Sequence, residues 1–292
     1  MRAYLFPGQG SQFMGMGKDL YDNHDEAKQL FELANDIIGF RITNLMFSSP
    51  EELLQETKVA QPAIFIHSAI LAAIQPNFVP AMVAGHSLGE YAALFASQVF
   101  TFEDGLRLVI ARSLAMQEAC AMNKGTMAAI IGMPIDTIQT ICQAMKETVV
   151  VANYNCPGQV VISGTEAGVN EACEVLKERG AKKIVLLKVG GAFHSPLMAP
   201  AQEILAKKIA PIEFKTGICP IFQNVTNTAI VDTQEIKKNL IMQLTAPIDW
   251  PSTIVHMVQT GASEFNICGP GKVLQGLVSK IDGQIPIKTV II

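Results

Sequence analysis

Apolar and polar positions along this 292-residue chain fall into two alternating textures. Short apolar runs cut off by Pro or Gly predict buried strands, whereas runs with apolar residues three or four apart predict helices. Residues 2–6 and 79–84 are of the first kind. The stretch from Met16 carries Phe31, Ala34 and Ile37 at helical spacing and stops at Gly39, a C-terminal glycine. Residues 62–74 are apolar on nearly every side and predict a buried helix, and residues 105–122 predict another. Beyond a helix reaching about Ala210, strands at 221–225, 264–267 and 287–292 alternate with helices at 234–244, 252–259 and 272–280. Strands separated by helices imply an α/β protein with a mostly parallel sheet covered on both faces.

The middle of the chain reads differently. Strand 126–133, helix 134–146, strand 148–153, a Cys156-Pro157-Gly158 turn, strand 159–163, helix 166–179 and strand 183–189 follow one another closely. The order βαββαβ is that of the ferredoxin-like split unit. It predicts a small domain at 125–191 inserted into a main domain made of 1–124 and 192–292.

Gly85-His86-Ser87-Leu88-Gly89 places a serine between two glycines, after a predicted strand and before a predicted helix (88–96). This is the context a nucleophile elbow requires: a sharp strand-to-helix corner that exposes the hydroxyl, with glycines where the two elements close on each other. The main-chain N–H of Leu88, next in the chain, is a candidate oxyanion donor. A glycine-bordered helix cap is the alternative reading of the same residues.

Composition narrows the setting. With 49% hydrophobic and 16% charged residues, the chain can bury a large core. No apolar run approaches a membrane span, and the opening residues are too soon broken by Pro7 to predict a signal peptide, so a soluble cytoplasmic protein is expected. A net charge of −4 gives no reason to expect nucleic acid. The six cysteines are dispersed without a C-x-x-C pair, which predicts reduced thiols and no zinc site.

A serine hydroxyl needs a base, and five histidines compete for that part. His24 lies in a polar helix start, His67 in a buried helix, His86 on the far side of the elbow, and His256 on a surface-patterned helix. His194, at the junction of the two predicted domains, remains. Arg112 breaks the pattern of its helix, having Leu108, Val109, Ala115 and Met116 one turn away on either side. Two partners suit such a guanidinium: an internal carboxylate, or the carboxylate of a substrate held through two parallel hydrogen bonds.

Six stretches together resemble the malonyl-CoA:acyl carrier protein transacylase family. They are Phe6-Pro7-Gly8-Gln9-Gly10-Ser11-Gln12, Gln61-Pro62-Ala63, the elbow through Glu90, Arg112 with Met116, Asn155-x-Pro157 to Gly164, and Ala192-Phe193-His194-Ser195. The resemblance covers essentially the whole chain and implies an α/β-hydrolase-like core with a ferredoxin-like insert. It implies that malonyl-CoA acylates Ser87, that His194 is the base, and that the N–H groups of Gln9 and Leu88 form the oxyanion hole. Arg112 would hold the malonyl carboxylate, with Met116, Phe193 and Asn155 lining the site. The main-chain carbonyl of Gln243, in place of an Asp, would orient the histidine. The acceptor would be an acyl carrier protein, and the enzyme a monomer needing no metal or bound cofactor. Fatty-acid and polyketide pathways both use such enzymes; the forms Arg2–Phe6 and Ala192-Phe193-His194 favour the polyketide branch. An acyl hydrolase on the same scaffold and a non-catalytic carrier-docking module are the rival functions.

Overall fold

The computed structural model describes residues 1–291 and contains two sheets. In the larger, six strands lie in the order Ile287–Thr289, Glu264–Ile267, Arg2–Phe6, Met82–Gly85, Ile221–Phe222, Ala229–Ile230. All neighbours in it run parallel except the last pair. Leu5 and Ala84 are neighbours in register and wholly buried. An apolar run with no polar face suits a strand covered by helices on both sides.

The second sheet orders Lys183–Leu186, Gly125–Ile131, Gln159–Thr165, Val149–Cys156 and Ile248–Asp249. Its first four strands pair antiparallel, and helices Ile135–Ala144 and Glu166–Glu178 complete the predicted βαββαβ order. Ile248–Asp249 comes from outside 125–191 and adds in parallel to Val149–Cys156. The second sheet is therefore extended by the C-terminal part of the chain, a pairing that two residues carry no pattern to announce.

Other departures from the sequence reading have local causes. The helix expected from Met16 to Gly39 is two helices, Lys18–Asn23 and Asp25–Ile38. His24 breaks it in an extended conformation, and Asp25 and Glu26 favourably open the second helix at its positive end. The helix expected from Pro62 begins at Thr57 and runs to Ala73 with Pro62 inside it. Proline removes one helical bond there without ending a helix whose side chains are buried almost throughout. Two short helices, Ile42–Ser48 and Glu51–Gln55, were too brief to show a period. The strand expected at 183–189 ends at Leu186, and Leu187 and Val189 turn into the cleft between the sheets. All six cysteines are free thiols. No helix among the described residues is long and apolar enough to cross a membrane.

Candidate active site

Met82–Gly85 runs into a corner at His86-Ser87 and then into helix Gly89–Ala96. Glycine is required at both ends of this corner. A Cβ on Gly85 would lie 2.0 Å from the main-chain carbon of Gly89, and one on Gly89 would lie 2.1 Å from the carbonyl oxygen of Phe6. Closure of strand on helix leaves Ser87 at φ 52°, a left-handed conformation costly for a residue with a side chain. Asn224 clamps it, its Oδ1 accepting from Ser87 N at 2.8 Å and its Nδ2 donating to Gly85 O at 2.8 Å.

The corner aims Ser87 Oγ at His194, whose Nε2 lies 2.8 Å away. His194 is 5% exposed and also has a positive φ, 55°. Its Nδ1 lies 2.9 Å from the main-chain oxygen of Gln243. A carbonyl can only accept, so Nδ1 carries the proton and Nε2 presents its lone pair to the serine. Burial, with Arg112 nearby, lowers the His194 pKa to about 3; the resting imidazole is neutral.

Arg112 is 1% exposed and stands in the same cluster. Nη1 donates to Gln61 Oε1 at 2.7 Å, and Nη2 donates to Ser87 Oγ and to Gln243 Oε1, each at 3.1 Å. Its ring neighbour is Tyr91, 5.7 Å from guanidinium carbon to centroid. Among the described residues no carboxylate forms an ion pair with Arg112. Of the two partners the sequence allowed, the internal salt bridge is absent, and every acceptor around the guanidinium is neutral.

These groups face a cleft of about 430 Å³ between the two sheets. Gln9, Leu88, Met116, Phe193 and Asn155 line it together with Ser87, His194 and Arg112. The main-chain N–H groups of Gln9 and Leu88 donate to no acceptor among the described residues. Met116 is buried and its sulfur accepts from Gln61 Nε2 at 3.4 Å. Asn155 meets His86, with Oδ1 and Nε2 3.3 Å apart, and the His86 ring packs edge-on against Trp250. His67 is buried outside the cleft with a pKa lowered to about 4, and His256 donates from Nδ1 to Asn227 O.

Sequence reasoning did not single out Gln61, Gln223 or Asn224 as site residues, nor the Gln243 side chain. Each is buried. Gln61 stands among Val59, Ala60, Ala63 and Ile64 in a helix that is buried almost throughout, and Gln223-Asn224 follow directly on a buried strand. A polar side chain embedded in an apolar run was the signal available.

The chain matches the acyl transferase domain model over residues 3–243. It is 41% identical over 288 residues to the malonyl CoA-acyl carrier protein transacylase of Bacillus subtilis (strain 168), covering 97% of this chain and 91% of that one. It is 38% identical over 291 residues to the protein of the same name from Staphylococcus aureus (strain MRSA252), with 99% and 94% covered. Among solved structures it superposes on an acyl-carrier-protein S-malonyltransferase from Bartonella henselae with a TM-score of 0.95 at 37% identity, covering 99% and 95% of the two chains. A malonyl-transacylase in complex with its type II PKS acyl-carrier protein gives a TM-score of 0.94 at 35% identity, again covering 99% and 95%.

Proposed function

This chain belongs to the malonyl CoA-acyl carrier protein transacylase family, and from that premise we propose that Ser87 carries a malonyl group from coenzyme A to the thiol of an acyl carrier protein. The observation that carries the reading is the Ser87–His194–Gln243 relay beside a guanidinium with no anionic partner. His194 Nε2 takes the hydroxyl proton as Ser87 Oγ attacks the thioester carbonyl. The N–H groups of Gln9 and Leu88 are the donors available to the resulting oxyanion. On collapse the carbon–sulfur bond breaks, and the imidazolium returns its proton to the departing thiolate. The carrier's phosphopantetheine thiol then gives its proton to His194 and attacks the serine ester. Ser87 Oγ leaves as the hydroxyl, regaining that proton. No metal or bound cofactor enters these steps; malonyl-CoA is a substrate.

Arg112 supplies the selectivity. A carboxylate entering the cleft meets a desolvated cation held only by neutral oxygens, where a charge-assisted pair is strong. Binding it also offsets the positive field that depresses His194, so the acidic substrate makes its own base more basic. A hydrolase removing neutral acyl groups has no use for this arrangement.

The parallel sheet with its elbow supports reading 1–124 and 192–292 as an α/β-hydrolase-like catalytic domain; that the enzyme acts as a monomer is part of the proposal. The antiparallel strand order of the second sheet supports reading 125–191 as a ferredoxin-like insert. The cleft between them is where the carrier's arm would enter. Relatives include a polyketide-type pair as well as stand-alone malonyltransferases, so the pathway is decided by comparing transfer rates to fatty-acid and polyketide carriers.

The direct experiment is intact-mass analysis after brief exposure to malonyl-CoA. Wild type gains one malonyl group, on Ser87, and Ser87→Ala gains none; malonyl on any other residue overturns the assignment. His194→Ala loads roughly 10²–10⁴-fold more slowly, the usual worth of a positioned base. A larger loss from His86→Ala would transfer the role to that histidine.

A further inference from the structure

The mechanism leaves one buried ionisable group unused. Glu90 closes the elbow motif, lies in the first turn of helix Gly89–Ala96, and is 0% exposed. No Lys or Arg side chain among the described residues forms an ion pair with it. Both its oxygens accept hydrogen bonds. Oε1 takes Gln223 Nε2 at 3.0 Å, and Oε2 takes the main-chain N of Asn224 at 2.8 Å.

Neither donor can be turned round. The Asn224 donor is main chain, and the Gln223 amide is fixed because its Oε1 accepts from Asn239 Nδ2 at 3.0 Å while Nε2 also donates to Ile236 O at 3.2 Å. An amide at position 90 would therefore point an N–H at another N–H, whereas a carboxylate accepts at both oxygens. Burial raises the Glu90 pKa, and its hydrogen bonds and the charge of Arg112 offset only part of that rise.

What the carboxylate fixes is the residue that clamps the nucleophile. Asn224 bonds the elbow on both sides of His86. Its Oδ1 also accepts from Gln243 Nε2 at 3.3 Å, and that same nitrogen donates to Ser87 O at 3.0 Å. We infer that Glu90 is a positioning residue: its carboxyl oxygens anchor the Gln223-Asn224 turn, and Asn224 in turn holds Ser87 in the left-handed conformation that points Oγ at His194. The inference rests on Ser87 being the nucleophile.

A small uncharged fluorophosphonate tests it without calling on malonyl recognition. Ser87 Oγ bonds to phosphorus, fluoride leaves, and His194 takes the proton. Glu90→Gln is expected to slow this labelling, malonyl loading and acetyl loading by a common factor of roughly 10–10², the scale of a misplaced reacting group. Asn224→Ala should lose as much, and the double variant no more than the larger single loss, because the two act in series. Circular-dichroism melts establish that each variant is folded. Glu90→Asp, which keeps two acceptor oxygens on a side chain one methylene shorter, should be labelled faster than Glu90→Gln, and it carries the test should Glu90→Gln alone fail to fold. Labelling of folded Glu90→Gln at the wild-type rate, additive losses in the double variant, or a folded Glu90→Asp labelled no faster than Glu90→Gln each overturns the inference. Failure of wild type to be labelled at Ser87 overturns the nucleophile assignment instead.

Discussion

The guanidinium of Arg112 touches the hydroxyl of Ser87, Nη2 lying 3.1 Å from Oγ. Cation and hydroxyl thus share one desolvated corner, and in the proposed reaction the cation acts in two opposed ways. It stabilises negative charge developing on Oγ, and it lowers the basicity of His194, which must take the proton. These effects apply to any acyl group. The contact specific to a malonyl group is the carboxylate itself, which quenches the second effect when it binds.

Arg112→Ala is therefore expected to reduce malonyl loading far more than acetyl loading. Losing the charge-assisted pair removes about 2–5 kcal/mol of binding, part of it the cost of stranding a buried carboxylate. The malonyl-to-acetyl ratio of kcat/KM falls by roughly 30-fold or more. No ion pair is broken, but buried Gln61 Oε1 and Gln243 Oε1 lose their donor, so the melting temperature falls somewhat, and the two loading rates are compared on folded enzyme. Equal losses for the two acyl groups would show that Arg112 does not select the substrate.

Buried neutral histidines set the acid limit of stability. His67 and His194 have pKa values lowered to about 4 and about 3, against about 6.5 in the unfolded chain. Below pH 6.5 the unfolded state binds these protons and the folded state does not, so stability falls as pH drops towards the folded values. Each group contributes a slope of about 1.4 kcal/mol per pH unit within that window. His67 lies outside the cleft, so His67→Leu isolates its share. Urea unfolding from pH 7 to pH 4 should show the variant losing less stability than wild type, by about that slope. Parallel curves for the two proteins would show that His67 does not stay neutral in the fold.

Much of this site was legible because its chemistry sits on local patterns. Ser87 announces itself through two glycines whose absence of Cβ the corner demands, and Arg112 through four apolar neighbours one turn away. The parallel core and the βαββαβ segment follow from periodicities that each strand and helix carries by itself. The Gln223-Asn224 turn was not legible, because a buried amide is recognised by what it faces, and the partners that tie it to the elbow, Ser87, Gly85 and Glu90, are over a hundred residues away. The Ile248–Asp249 strand escaped for the same reason: two residues join a sheet whose other strands lie elsewhere in the chain. Asn155 lines the cleft as its motif led one to expect; its contact with His86 joins residues 69 apart in the chain and had no local signal.

Extender choice tests the apolar wall of the cleft. Phe193 precedes the base in the chain, lines the cleft and is largely buried. Met116 faces the same space from one turn beyond Arg112, its sulfur held by Gln61. An α-methyl group on the malonyl carbon enlarges the acyl group between Oγ and the guanidinium, where these two side chains limit its room. A single methyl in an apolar pocket is worth about 1–3 kcal/mol, so malonyl-CoA should be preferred over methylmalonyl-CoA by roughly 10–200-fold. Phe193→Ala should narrow that ratio by raising methylmalonyl loading while both substrates keep their dependence on Arg112. The measurement is a competition between the two thioesters, read by intact mass on Ser87. Equal loading by wild type, or a ratio unmoved in folded Phe193→Ala, would mean that some other surface sets the extender.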